Sequence, residues 1–425
     1  MRTGRRELIR DLNQTLVLNL VREQGPISRA DLARVSGLSS STVTEITAVL
    51  LRDGFLLEDA LATGAARKPA DRATLGRPAT NLRVNPSAAH VVGLKLAAET
   101  LTAAVTNLAA EPLGVAHATH SRDADGASVA ALFETVVTQA LVAARVGRGS
   151  LFGIGIGVPG VVDPVTGVVG ASPLDAWTGA DLAAMLGRRF QLPVYLDNDV
   201  NTLTVAEQLY GAGRGLPHFV VVTVGRGIGM GAVVNGVVHR GAHGGAGEIG
   251  HVASVPDGPA CWCGRRGCLE AVAAEPAIVR DILAATGRLL SPEDLADGAA
   301  DPRIAAVLES AGRHLGRAIA IVTTLLDPAR VIVAGEGVRL GPVYLDGIRA
   351  GLAEHVPVTG EPELVVEPWG DEAWARGAAT LVLRELFHPA HLRDEGAVMS
   401  LPRPDAASIR PGNSRLARVG RGGRR

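Results

Sequence analysis

All three cysteines of this 425-residue chain fall within eight residues, in Cys261-Trp262-Cys263-Gly264-Arg265-Arg266-Gly267-Cys268. Upstream of them, His251 closes the segment Ala246-Gly247-Glu248-Ile249-Gly250-His251. Three thiolates and one imidazole complete a tetrahedral shell, the closed coordination of a structural zinc ion. An odd cysteine count argues against a disulfide framework. Tying His251, Cys261, Cys263 and Cys268 to one ion forces the chain between them to double back, and Glu248 rides on that loop. The alternative, three buried thiols and an unrelated histidine, leaves their gathering in one glycine-punctuated loop without a cause.

The length suggests roughly two to four domains. With 47% apolar residues and 3% aromatics, the chain is an alanine-, valine- and leucine-rich globular protein. Its longest clean apolar stretch, residues 151–162, is broken by glycine and too short to span a bilayer. The opening Met1-Arg2-Thr3-Gly4-Arg5-Arg6-Glu7 leads into an amphipathic pattern with no signal-peptide core. The expected location is therefore cytoplasmic, with no membrane partner. A net charge of −1 hides an asymmetry: residues 1–85 carry 13 basic against 9 acidic residues, and residues 400–425 carry 7 against 1. A basic head on an acidic body fits nucleic-acid binding confined to one end.

Patterning makes the head specific. Leu8, Leu12, Leu16 and Leu20 form a helical stripe ended by Gly25-Pro26. Ser28-Arg29-Ala30-Asp31 has the form of a capping box, opening a short helix that carries Leu32 and Val35 inward. Gly37 turns the chain into Ser39 to Leu51, where Val43, Ile46 and Leu50 share one face and leave Ser40, Ser41, Thr42 and Thr44 toward solvent. A small, hydroxyl-rich outer face suits the major groove. Strands are expected at 55–58 and 80–84, joined by a loop bearing Arg67, Lys68, Arg72 and Arg77. Together these features predict a winged helix-turn-helix over residues 1–85, with Arg67, Lys68 and Arg77 in the wing. A helical hairpin used for dimer contacts is the alternative, and it leaves the basic loop unexplained.

From residue 89 the pattern alternates. Strands are expected at 90–96, 101–107, 113–118, 151–158, 194–196, 219–224, 231–234 and 331–334, and helices at 129–144 and 303–326. The economical architecture is two similar α/β lobes with a cleft between them. Leu196-Asp197-Asn198-Asp199-Val200-Asn201 closes a strand with groups that grip sugar hydroxyls, or else makes an ordinary turn. Val224-Gly225-Arg226-Gly227-Ile228-Gly229-Met230-Gly231 permits a hairpin close to an anion, or close packing alone.

The Ala246–His251 segment, followed by Cys-x-Cys-Gly-x-x-Gly-Cys-x-Glu, resembles the signature of the ROK family of repressors, open reading frames and sugar kinases, over a region ending near Phe387. The resemblance implies a two-lobed actin-like ATPase (ribonuclease H-like) fold behind the α+β winged head, with lobe one at about 86–195 plus 372–387, and lobe two at about 196–371. It implies sugar between the lobes, held by Asn198, Asp199, Glu248, His251 and Glu270, with Asp199 at the position of the kinase base. His251 then also ligates zinc beside Cys261, Cys263 and Cys268, and the implied assembly is a homodimer or homotetramer.

Departures from the family pattern separate enzyme from regulator. Kinase members hold magnesium and phosphates with an aspartate, two glycines and a threonine after the first strand. Here Lys95 takes the aspartate position, Ala97 and Ala98 the glycines, and Glu99 the threonine. A carboxylate about 4 Å from a phosphate charge costs on the order of 4 kcal/mol at an effective dielectric of 20. Arg226 replaces a threonine in the second glycine-rich loop, and Glu336 puts an acid into the loop that usually faces adenosine. Lys95 as a salvaged phosphate ligand is the other reading, although one cation does not restore a magnesium site. Ser172-Pro173-Leu174-Asp175-Ala176-Trp177 lacks the asparagine that kinases often place before the tryptophan. Beyond residue 388 the proline-, glycine- and arginine-rich composition predicts a disordered basic tail. The expectation is a sugar-responsive repressor that binds operator DNA and does not phosphorylate its effector. The alternatives are an ATP-dependent hexose kinase with an added head, and a sensor of a partner protein.

Overall fold

The computed structural model describes residues 2–59, 80–97, 99–121, 126–163, 166–172, 178–179, 181–356, 360–367 and 371–387. The head comprises α1 (Arg2–Gln24), β1 (Ile27–Ser28), α2 (Arg29–Ser36), α3 (Ser40–Arg52), β2 (Leu56–Asp59) and β3 (Asn81–Val84), with a sheet in the order β1-β3-β2. The expected caps are present. Ser28 Oγ accepts the Asp31 amide, Gly37 ends α2 at φ +70°, and Ser39 Oγ accepts the Thr42 amide at the start of α3. Val43, Ile46 and Leu50 are buried, but two assignments need correction. Val35 is 38% exposed, because the eight-residue α2 is too short to bury more than the single line through Leu32. In α1, Leu16 points outward while Val17, Leu18 and Val21 are buried. The leucine stripe is displaced because this helix packs against the body as well as the head.

The first lobe is built from β4 (His90–Leu96), β5 (Thr100–Asn107), β6 (Pro112–Thr119), α4 (Gly126–Ala144), β7 (Leu151–Val158), α5 (Leu182–Phe190) and β8 (Val194–Asn198). Next comes α6 (Asp199–Tyr210). The second lobe follows with β9 (Phe219–Val224), β10 (Ile228–Val234), β11 (Val237–His239), α7 (Glu270–Ala273), α8 (Glu275–Thr286), α9 (Leu295–Gly298), α10 (Pro302–Leu326), β12 (Arg330–Ala334), α11 (Pro342–Ala353) and β13 (Glu363–Val366). The chain then returns as α12 (Asp371–Phe387).

The two large sheets repeat one topology, β6-β5-β4-β7-β8 and β11-β10-β9-β12-β13. In each, an antiparallel three-strand meander is followed by two parallel strands. Helices α6 and α12 pack against each other; α12 covers β4 and β7, and α6 touches β9 and β10. Glycine sets the spacing: a Cβ at Gly93 or Gly155 would overlap the α12 carbonyls of Ala375 or Ala378. The same helix reaches the head, where Leu383, Leu386 and Phe387 share a buried cluster with Val17, Leu18 and Val21 of α1. Burying such side chains is worth about 1.5–3 kcal/mol each, so the head is packed onto the body. No helix among the described residues is long and apolar enough to cross a membrane.

Candidate metal centre and ligand cleft

The loop between β11 and α7 carries the four candidate ligands. Hydrogen bonds from the Cys261 amide to Arg265 O (2.8 Å) and from Gly264 N to Cys261 O (3.1 Å) close a tight turn. Gly267, at φ +69°, lies so close to Val255 O that any side chain would collide with it. The ligand atoms of His251, Cys261, Cys263 and Cys268 all lie within 4.8 Å of one another. Cys261 Sγ is 3.6 Å from His251 Nδ1, and the Cys263 and Cys268 sulfurs are 3.7 Å apart. Tetrahedral edges around zinc, built from bonds of about 2.0–2.3 Å, come to about 3.3–3.8 Å. The donor set therefore fits a metal ion. Its chemistry agrees: three thiols and an imidazole are the donors zinc prefers, and a cation at the centre supplies the charge that permits clustered thiols to ionise together.

The loop presents its other groups to the cleft. His251 turns Nδ1 to the cysteines and leaves Nε2 3.8 Å from Glu248 Oε2. The Glu248 carboxyl is raised above its ordinary value, first by desolvation; His251 acts in the opposite sense, and Glu270 and Asp199 add to the rise. The structure thus brings His251, Glu270 and Asp199 within electrostatic reach of Glu248. Glu270, the first residue of α7, accepts the Ile228 amide (3.1 Å) on one oxygen and the Trp262 indole N–H on the other. Asn198 caps α6, accepting from Val200 N and Asn201 N and donating to Gly160 O at 2.9 Å. Asp199 Oδ1 accepts the Val200 amide, and its Oδ2 is ion-paired with Lys95 Nζ. Trp177 and the neighbouring Asp175 lie outside the described residues.

Several functional contacts escaped sequence reasoning. Asp197, 5% exposed, pairs with Arg240 at 2.6 Å and accepts Asn201 Nδ2 at 3.0 Å, joining the end of β8 to the chain after β11. Its only signal was its place in the segment 196–201. Trp262 stands edge-on to His251 with centroids 5.0 Å apart, an arrangement that a Cys-x-Cys spacing does not encode. The glycine-rich segment divides its work. Gly225 and Gly227 flank the β9–β10 turn, whereas a Cβ at Gly229 or Gly231 would strike Val200 or Thr204 of α6, so these two serve packing. On α3, Ser40, Ser41 and Thr44 are exposed and Thr42 is half-buried. Ser39 Oγ lies 2.8 Å from the hydroxyls of Ser41 and Thr42, and Thr44 donates to Ser40 O. Arg67, Lys68, Arg72, Arg77 and the segment beyond 388 lie outside the described residues.

Comparison with known proteins places this geometry. Residues 91–385 match the ROK family and residues 11–57 match the MarR family. The DNA-binding transcriptional dual regulator NagC of Escherichia coli K12 is 29% identical over 91% of this chain and 95% of its own. The xylose repressor of Bacillus spizizenii is 26% identical over 89% of this chain and 97% of its own. A solved ROK family transcriptional regulator, described as a homologue of the E. coli MLC protein, superposes with a TM-score of 0.76 at 29% identity, covering 91% of this chain and 98% of that one. A Streptomyces griseus ROK glucokinase, solved with glucose and AMPPNP, reaches 0.61 at 25% identity, covering 69% of this chain and 98% of the kinase.

Proposed function

Because the chain belongs to the ROK family, we propose that it is a sugar-responsive, DNA-binding transcriptional repressor whose kinase-like body binds its effector without phosphorylating it. Relatives matched over nearly the whole chain are transcriptional regulators, whereas the glucokinase covers 69% of it. In this reading residues 1–85 bind operator DNA through Ser40, Ser41, Thr42 and Thr44 of α3 and through wing residues Arg67, Lys68 and Arg77. Residues 86–387 sense a sugar or sugar derivative through Asn198, Asp199, Glu248, His251 and Glu270. His251, Cys261, Cys263 and Cys268 hold a structural zinc ion that fixes the loop bearing Glu248. The protein acts in the cytoplasm as a homodimer or homotetramer, which presents two α3 helices to an inverted repeat.

One observation carries the non-enzymatic part. By the family resemblance Lys95 takes the position of the aspartate with which kinases hold magnesium, and its ammonium is paired with Asp199 Oδ2, an oxygen a base needs to take a hydroxyl proton. With Ala97 and Ala98 in place of glycines and Glu99 in place of the threonine, the sequence between β4 and β5 lacks the glycines that let a backbone approach a phosphate. The test is a coupled ADP-release assay with MgATP across a panel of hexoses, pentoses and amino sugars. No turnover above background is expected from the parent. Sugar-dependent ADP release that Asp199→Ala abolishes would establish the kinase instead.

A further inference from the structure

Four side chains from separate stretches of chain form one connected line through the space between the lobes. Lys95, near the end of β4, pairs with Asp199 at the start of α6. Its ammonium also lies 4.2 Å from the ring centroid of Trp374 on α12, within the range of a cation–π attraction. The Trp374 indole N–H donates to Glu336 Oε1 at 3.1 Å, and Glu336 belongs to the loop after β12 in the second lobe. The other Glu336 oxygen fills the space beside Gly225 in the β9–β10 turn, where any Cβ would meet it. Trp374 is 4% exposed, and the Lys95 and Asp199 side chains are 15% and 16% exposed. In such sheltered surroundings these interactions are worth more than their surface counterparts.

We infer that Asp199–Lys95–Trp374–Glu336 is a lobe-to-lobe latch, with Lys95 as its positioning residue, and that effector binding releases it at Asp199. Elements β4, α6 and α12 hold one end of the latch, and the second lobe holds the other. A ligand hydroxyl donating to Asp199 Oδ2 competes with Lys95 Nζ for the same oxygen. Once that ion pair is broken, the ammonium keeps only the ring, and the Trp374–Glu336 hydrogen bond loses its connection to Asp199. Movement of α6 has a path to the head. At its C-terminal end the Leu209 carbonyl accepts a hydrogen bond from Arg22 of α1 at 3.0 Å, and the Arg22 guanidinium lies 5.8 Å from the Tyr210 ring centroid and 5.1 Å from that of Phe387. The release step rests on reading the cleft as a sugar site; the latch itself does not.

Hydrogen exchange on the full-length, zinc-loaded protein separates the two. Without ligand, Lys95→Met and Trp374→Phe are expected to speed amide exchange in residues 224–228 and 335–340 by about tenfold or more, the signature of a local opening. Lys95→Arg, which keeps the charge, should return exchange toward the parent's rate. Arg349→Met, which breaks the exposed pair with Asp346, should change neither segment. Trp374→Phe keeps an aromatic ring and removes the N–H, so it carries the test if Lys95→Met fails to fold. Parent-like exchange in both segments of Trp374→Phe would overturn the latch. Xylose, N-acetylglucosamine and glucose, each added at millimolar concentration to the parent, form the second arm. At least one is expected to speed exchange in the same two segments. If the variants loosen and none of the three sugars does so, the latch stands and release by these sugars is rejected. If a sugar binds calorimetrically yet leaves both segments unchanged, release at Asp199 is wrong.

Discussion

The two lobes share one sheet order and differ in what hangs on it. In the first, β4 itself carries Lys95 against Asp199, and Glu99 follows just before β5. In the second, the equivalent β9–β10 turn lies open between Gly225 and Gly227, with Glu336 and Glu270 set against those glycines. Beyond β11 the second lobe also inserts the cysteine loop, whose Glu248 and His251 face the same region as Asp199. One scaffold thus carries two specialisations: an ammonium paired with the Asp199 carboxylate, and a loop that gathers one histidine and three cysteines able to hold a metal ion. Sheet order is fixed by strand patterning, while chemistry is set by a few turn residues.

Removing the metal loop should show the largest effect on this contrast. Parent protein is expected to carry about one zinc per chain, and Cys263→Ser to lose it together with order in residues 251–268. Structural zinc supplies free energies on the order of 10 kcal/mol to small zinc-binding units, so proteolysis should cut the loop first and leave the first lobe intact. Elemental analysis and limited digestion measure both; full occupancy in Cys263→Ser would remove the metal assignment.

Much of this was legible in the sequence. The strands at 90–96, 151–158 and 219–224 coincide with β4, β7 and β9, because these runs are short, rich in β-branched residues and buried on both faces. The gathering of His251, Cys261, Cys263 and Cys268 was legible because their side-chain chemistry is specific. Helix α6 was not. Asp199 to Tyr210 is rich in β-branched and polar residues, and nine of its twelve positions are buried between sheets, so it shows no amphipathic period. The Lys95–Asp199 pair was illegible for a different reason, since 104 residues separate its partners and only the tertiary fold makes them neighbours. The outward turn of Leu16 likewise depends on α12 packing against α1, which no local pattern records.

Helix packing gives the next prediction. Gly93→Ala drives a methyl into the Ala375 backbone of α12, whereas the methyl of Gly231→Ala meets chiefly the Thr204 side chain. Gly93→Ala should therefore cost about 3 kcal/mol or more, at or above the usual overpacking range, and Gly231→Ala about 1–2 kcal/mol. Denaturation midpoints at constant slope check the order; equal costs would mean that the first lobe yields as readily as the second.

Smaller effects concern ligands. Glu248→Ala should weaken effector binding about ten- to a hundredfold, matching the removal of a hydrogen bond to a charged group worth roughly 1.5–3 kcal/mol, and leave operator affinity near the parent's. Isothermal titration checks the first part and DNA anisotropy the second; an unchanged effector affinity would place the ligand elsewhere. Arg77→Ala should lower DNA affinity modestly and reduce the slope of log K against log salt by about 0.9 for each phosphate that is no longer neutralised. A slope equal to the parent's would remove Arg77 from the DNA-binding wing.

The central claim is that the body reads a sugar without transferring phosphate to it. The most direct test uses an operator selected from a random inverted-repeat library and follows its release by fluorescence anisotropy, in the presence of MgATP, as sugars are added. ADP is measured in the same samples. At least one sugar is expected to release the DNA with no ADP formed, and Glu248→Ala, which leaves the Lys95–Asp199 pair in place, is expected to hold the operator at sugar concentrations that free the parent. Release that proceeds only with equivalent ADP formation, or a Glu248→Ala protein that responds at the parent's midpoint, would contradict the central claim.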